Sequence, residues 1–463
     1  MKQVTKYSVI IFLIILVASC RKREVPMADI FANFETTALG ITPAESEVSF
    51  KIRLTSSVRE NVNIVVNMSN QNVLATEYSI TPQASAAKLN IVIPAGNNEA
   101  TITIKKVTGS LYDGDEKVQL TLEAINGAGV LVGATKQITI SFAELVSTAA
   151  SATINGGGIN YPNRVFIDLS SNRQYAVTRT NWDLGFFTAP NEYRVILNSA
   201  SAMMARQINK NDLLAVTATD TIGFSNEVAF NQTNPSTASL PYIDYPNGDI
   251  TRTAIAAISA TASNNKVYIV NRGLGIGIPT PSRGWKKIRI IQNGNGYSLQ
   301  YADIAATTFS TINITKNDDY YFNYISFDAG ATVVEPIKKK WDLAWSYFSN
   351  VTNFGNGEVP YLFQDVMLQN RNVQAVQVLE ATKPFVAFSE VDIATLAFQT
   401  AQNAIGSSWR SGGGPTTAPA VRTDRYYIVK DGDNNVYKLR FTALTQNGER
   451  GYPAYEAILV KKG

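Results

Sequence analysis

The chain has 463 residues, and at about 150 residues per domain that suggests roughly two to four domains. Hydrophobic residues at 45% and charged residues at 17% make a globular balance that excludes disorder. A basic excess of 41 to 37 is too small for a nucleic-acid footprint, while His 0 and Cys 1 exclude a Ser-His-Asp triad, a Cys-His dyad, a His-ligated zinc site and an intrachain disulfide.

Lys2 and Lys6 precede an apolar run from Tyr7 to Leu16, followed by the small residues Val17-Ala18-Ser19 and then Cys20. That order is a secretory signal, and the cysteine at its end resembles a bacterial lipobox. The resemblance implies a signal peptide over 1–19, lipidation of Cys20 and attachment to a membrane by acyl chains. The apolar run of about 10 residues is too short to span a bilayer, which takes about 20. The basic stretch Arg21-Lys22-Arg23 opens an anchor linker over 20–28 and leaves the periplasmic and cell-surface faces both open. Losing Lys2 and Lys6 takes the net charge from +4 to +2.

From residue 29 to 142 the text alternates apolar and polar, as in Val48-Ser49-Phe50-Lys51-Ile52-Arg53-Leu54 and Ala100-Thr101-Ile102-Thr103-Ile104. Turns of Pro94-Ala95-Gly96 and Asp113-Gly114-Asp115-Glu116 punctuate the strands, which predicts an antiparallel sandwich. The order of these segments resembles a Calx-beta domain. Asp113, Asp115 and Glu116 are oxygen donors that could hold calcium, but three side chains fall short of the six to eight oxygens it takes. A structural spacer is the preferred reading. Residues 143–162 are small and nearly uncharged, and they read as a flexible linker.

Residues 163–463 contain a duplication. Asn181-Trp182-Asp183-Leu184 recurs as Lys340-Trp341-Asp342-Leu343, and Tyr268-Ile269-Val270 as Tyr427-Ile428-Val429, with the same 86 residues from Trp182 to Tyr268 as from Trp341 to Tyr427. The halves run from about 163 to 305 and from about 320 to 463, mainly β with one helix predicted from Ser389 through Ala401. Each Trp-Asp reads most simply as a core indole followed by a carboxylate capping the next turn. The glycine-rich Arg272 to Pro279 segment reads as a hairpin or extended loop, since Pro279 and Pro281 forbid the helix that a phosphate loop needs. Ser411-Gly412-Gly413-Gly414-Pro415 reads as a flexible loop.

Trp341-Asp342-Leu343-Ala344-Trp345, Ile405-Gly406-Ser407-Ser408-Trp409, Tyr427-Ile428-Val429 and the ending through Gly451-Tyr452-Pro453 resemble the HmuY family. The resemblance implies an all-β, non-enzymatic lipoprotein of the outer membrane, of a family in which some members capture haem and pass it to a TonB-dependent receptor. The family's haem ligands are paired histidines, or methionines in some members, in the tens of residues after Trp-Asp-Leu. This chain has no histidine, leaving Met367 and Met204 as the candidates that the resemblance implies. Met367 is as readily a core side chain, and Met203 and Met204 face opposite ways if they share a strand. The competing reading is a structural or adhesive surface lipoprotein that binds protein or glycan without haem.

Overall fold

The computed structural model describes residues 29–463 except 44, 128, 144–145 and 414–415, so the signal peptide and Cys20 lie outside the described residues. The chain forms two compact units, the second beginning at Val146. No helix among the described residues is long and apolar enough to cross a membrane.

The alternation in the first unit builds β1 (Ile30–Phe34), β2 (Ala38–Ile41), β3 (Glu47–Leu54), β4 (Val62–Gln71), β5 (Tyr78–Thr81), β6 (Lys88–Ile93), β7 (Glu99–Lys106), β8 (Lys117–Asn126), β9 (Val130–Val132) and β10 (Gln137–Phe142). They form two five-stranded sheets, ordered β5-β7-β3-β1-β9 and β2-β10-β8-β4-β6. Along the longer strands alternate side chains are buried. In β6 these are Leu89, Ile91 and Ile93, which join Phe50, Ile52, Ile102 and Ile104 in one core. A period of two places those residues on one face of each sheet, as a sandwich requires.

The second unit starts its strands earlier than the sequence suggests. Its first repeat comprises β11 (Ala149–Thr153), β12 (Asn163–Asp168), β13 (Arg173–Thr178), β14 (Leu184–Phe187), β15 (Val195–Leu197), β16 (Met204–Ile208), β17 (Val267–Asn271), β18 (Trp285–Gln292) and β19 (Gly296–Ala302). The second comprises β20 (Ser310–Thr315), β21 (Phe322–Ser326), β22 (Gly330–Thr332), β23 (Leu343–Asn353), β24 (Glu358–Gln369), β25 (Gln374–Leu379), β26 (Arg410–Ser411), β27 (Ala420–Val421), β28 (Arg425–Lys430), β29 (Val436–Gln446) and β30 (Glu449–Lys461).

The four main sheets fall into two matching pairs. Sheet β16-β17-β18-β19-β20 answers β25-β28-β29-β30-β11, and sheet β15-β14-β21-β22 answers β24-β23-β12-β13. The first three strands of each repeat therefore lie in sheets of the other. β20 pairs with β19, β11 with β30, β21 with β14, and β12 with β23.

Three expectations are corrected here. The 143–162 segment is no flexible linker: Ala149–Thr153 pairs with β30, and Ile154 and Tyr161 are buried in the second unit's core. Small, uncharged residues suit an edge strand packed on a sheet as well as they suit a tether. Each repeat also starts one strand earlier than 163 and 320. The predicted helix is a 3-10 segment, Glu390–Thr395. The Ser389 N–H does donate to Asp392 (2.8 Å), but the chain leaves the helix at Leu396 and bridges to Ala375 through Gln399.

Candidate functional site

The duplicated Trp-Asp motif anchors the exchange. Asp183 N–H donates to the Ile325 carbonyl (2.8 Å) and Asp342 N–H to that of Ile167 (2.7 Å). The carboxylates return the contact, Asp183 accepting from Phe327 N–H and Asp342 from Leu169 N–H, each 2.8 Å. Asn198 and Asn370 donate to the carbonyls of Trp182 and Trp341, each 2.8 Å. The aspartates thus fasten the strand donated by the other repeat, where the sequence suggested caps of their own turns. Asp183 is further held by Arg272 in a two-pronged contact (3.0 Å twice) and by Arg283 (2.9 Å).

An arm is one element in which the repeats differ. β14 and β15 stop after four and three residues, whereas β23 and β24 run on as a long paired arm to Asn353 and Glu358. Tyr361 and Phe363 stand two residues apart on the arm and so share a face, with Phe354 against Tyr361 (5.5 Å) and Tyr361 against Phe363 (5.3 Å). Beside this face lies a groove of about 540 Å³, within the size range of small-molecule sites. Tyr347, Tyr361, Phe363 and Ile278 line it together with Arg179, Arg410 and Arg450.

Each arginine reaches the groove for a structural reason. Arg179 is buried and gives its three donor groups to the carbonyls of Tyr161, Ala200 and Gly275 (2.7–2.9 Å), its guanidinium 5.0 Å over the Tyr347 ring. Burial lowers its pKa to about 10, so it stays charged at neutral pH without a carboxylate among those bonds. Arg410 and Arg450 flank the buried Asp365, one carboxylate between two cations. Burial pushes the Asp365 carboxyl up and the two arginines oppose it. The lining therefore carries a positive surplus.

The loop closing one side is the glycine-rich segment, a hairpin in which Gly275 N–H donates to Pro281 (2.8 Å). Gly273 has φ +72°, and a Cβ there would meet the Ser201 carbonyl at 1.9 Å, so glycine alone permits the approach.

Met367 is fully buried in the core with Trp345, Ile405 and Trp409, and it does not line the groove. Met203 and Met204 do face different clusters, and Met204 borders a separate cavity of about 300 Å³ beside Val228 and Pro360. Met367 and Met204 therefore lie in different clusters. Asp113, Asp115 and Glu116 bring ligand oxygens within 4.8 Å of one another. Glu116 accepts from Asp113 and Gly114 N–H (3.0–3.1 Å), and Asp115 from Asn72 (2.9 Å). The groove arginines come from three distant segments, so no local pattern marks them. The one local signal was the period-two spacing of Tyr361 and Phe363.

Between the two Trp-Asp motifs, Glu335 is 2% exposed. It accepts from Tyr321 N–H, Phe322 N–H and the Tyr324 hydroxyl (3.0–3.1 Å), yet burial raises its pKa to about 7. Asp244 is shifted to about 7 by the same cause. An acid with a raised folded pKa keeps its proton where the unfolded chain has lost it. Stability of the second unit therefore falls as pH rises from about 4.5 to about 7. Urea midpoints at pH 5 and 8 measure this, and Glu335→Gln is expected to flatten the difference.

The sequence matches the family described as HmuY protein over residues 160–456. No curated protein matches it. Among solved structures, the apo-form Calx CBD1 domain is 14% identical, covering 25% of this chain and 96% of that one with TM-score 0.22. A putative carbohydrate binding protein from Bacteroides ovatus ATCC 8483 is 11% identical, covering 73% and 93% with TM-score 0.19. A two-domain protein of unknown function from Bacteroides fragilis NCTC 9343 is 10% identical, covering 66% and 86% with TM-score 0.20.

Proposed function

Because the chain belongs to the HmuY family, a family of binding proteins, we propose that it is a non-enzymatic lipoprotein that captures a haem-type tetrapyrrole in the groove beside the β23–β24 arm. Lipid on Cys20 holds it at the outer membrane, and a TonB-dependent receptor takes its cargo. The observation that carries this reading is the convergence of three aromatic rings with Arg179, Arg410 and Arg450 in one groove. A porphyrin presents a flat apolar face and carboxylates at one edge. Aromatic side chains suit the first, and guanidinium groups the second.

Iron ligation plays no part in this reading. Histidine is absent, Met367 is enclosed in core, and burial raises the Tyr347 phenol, which keeps it protonated at neutral pH. Haem and metal-free protoporphyrin therefore bind alike. Titration of the mature full-length chain with each is expected to give saturable one-to-one absorbance changes of similar affinity. Exchanging Tyr361 and Phe363, which are only half-buried on the arm, for Ser is expected to weaken binding of both porphyrins by about tenfold or more, the loss of the apolar face that the ring would cover. Failure of both porphyrins to saturate would sink the proposal. Retention on glycans in that case would favour the adhesive reading, which Asn160, Gln232 and Gln364 on the groove wall also suit.

A further inference from the structure

A second cavity lies where the two repeats meet, and the duplicated tryptophans both line it. Trp182 and Trp341 occupy the same position in each repeat, and both are more than nine-tenths buried. Each packs its ring edgewise against an aromatic residue on the strand donated by the other repeat, Trp182 on Tyr324 (4.7 Å) and Trp341 on Phe166 (5.0 Å). Neither Nε1–H has a hydrogen-bond partner. Arg164 lines the same cavity, stacked over Phe166 at 4.9 Å, with its Nε also unpartnered. The matching acceptor deficit is smaller, a single Gln369 Oε1 on a side chain that otherwise donates to Val373 and Gln399.

A buried donor without a partner costs about 1–3 kcal/mol, whereas the aspartates and asparagines of the same two motifs are all bonded at 2.8–3.0 Å. Three orphaned donors around one space point to something that accepts. The cavity's own carboxylates do not fill that role: Glu335 is engaged by Tyr321, Phe322 and Tyr324, and Asp244 by Leu197 and Ala254. At about 70 Å³ the space holds a few waters or one molecule of a few heavy atoms. It has an approach. Gly248, Asp249, Arg371 and Gln402 line both this cavity and an outer one of about 310 Å³. Arg371 stands there as a cation, donating to the Gly248 carbonyl (3.1 Å) and lying 5.1 Å over Phe187.

We propose that this chamber between the repeats is a second binding site, for a small carboxylate of one or two carbons, whose oxygens accept from Trp182 Nε1–H, Trp341 Nε1–H and Arg164 Nε–H. Arg164 beside the two indoles supplies the positive charge, Arg371 at the mouth offsets Asp249 next to it, and the chamber wall supplies the size limit. The site is separate from the arm groove, with which it shares no lining residue.

The test uses the indole N–H resonances of the mature full-length chain, labelled with nitrogen-15 and titrated with formate, acetate and benzoate at constant ionic strength. Two of the five tryptophan signals are expected to shift together and saturably with formate and acetate, and not with benzoate, which is too large. Trp182→Phe and Trp341→Phe identify those two signals and keep the ring. Arg164→Met leaves both indoles in place and is expected to weaken acetate binding about tenfold or more. Absence of a saturable shift with formate or acetate, an equal response to benzoate, or unchanged affinity in Arg164→Met would each overturn the proposal, leaving a chamber that holds water alone.

Discussion

Asp183→Ala is expected to destabilise the second unit by about 3–5 kcal/mol, the cost of stranding buried charges whose partner has been removed. Side chains of Asp183, Arg272 and Arg283 are 0%, 8% and 9% exposed, so water cannot take over the missing carboxylate without local opening. The change also frees Phe327 N–H, which fastens the strand exchanged from the second repeat. Arg272 keeps its contact with Asp328, which is largely exposed and screened. Calorimetry or urea unfolding of the whole chain is expected to show the second unit's transition moving down while the sandwich transition stays in place. A loss under 1 kcal/mol would mean that the arginines find other partners.

A fragment beginning at residue 163 is expected not to fold, whereas one beginning at 146 is. The seventeen residues between them carry β11, whose five residues pair with β30, along with the fully buried Ile154. They also carry Tyr161, stacked on Trp345 at 5.6 Å between ring centroids and edgewise on Tyr347 at 4.9 Å. Removing them leaves the long strand β30 (Glu449–Lys461) with an open edge, a template for association. Size-exclusion profiles and near-ultraviolet dichroism of the two fragments distinguish the outcomes. A monomeric, ordered fragment from 163 would show that β11 is dispensable.

Sequence patterning reaches local structure well. Alternation in Leu89-Asn90-Ile91-Val92-Ile93 reports a strand with one wet face because burial alone sets that period, and the structure buries Leu89, Ile91 and Ile93. The equal spacing of Trp182 to Tyr268 and Trp341 to Tyr427 revealed two copies of one unit, with Tyr268 and Tyr427 in the matching strands β17 and β28.

Pairing across hundreds of residues leaves no local trace. Ala149-Ala150-Ser151-Ala152-Thr153 carries neither alternation nor β-branched density, and only the waiting edge of β30 makes it a strand. The same holds for the groove. Arg179, Arg410 and Arg450 look like ordinary surface cations in sequence, and the fold gathers them. Ser389 and Asp392 did signal a helix start, but Gln399 is drawn away to bridge Ala375 and the helix ends after six residues.

The strand exchange also dictates when the molecule can close. Ala149 sits opposite Ile458, so the sheet containing both cannot be completed until almost the whole chain is available. Neither repeat holds its own first strands, and the earlier one cannot finish ahead of the later. Such distant pairing must pay its loop-closure entropy before any contact rewards it, which slows folding. A chain emerging from one end therefore stays open through most of its length and acquires its second unit in one late, cooperative step.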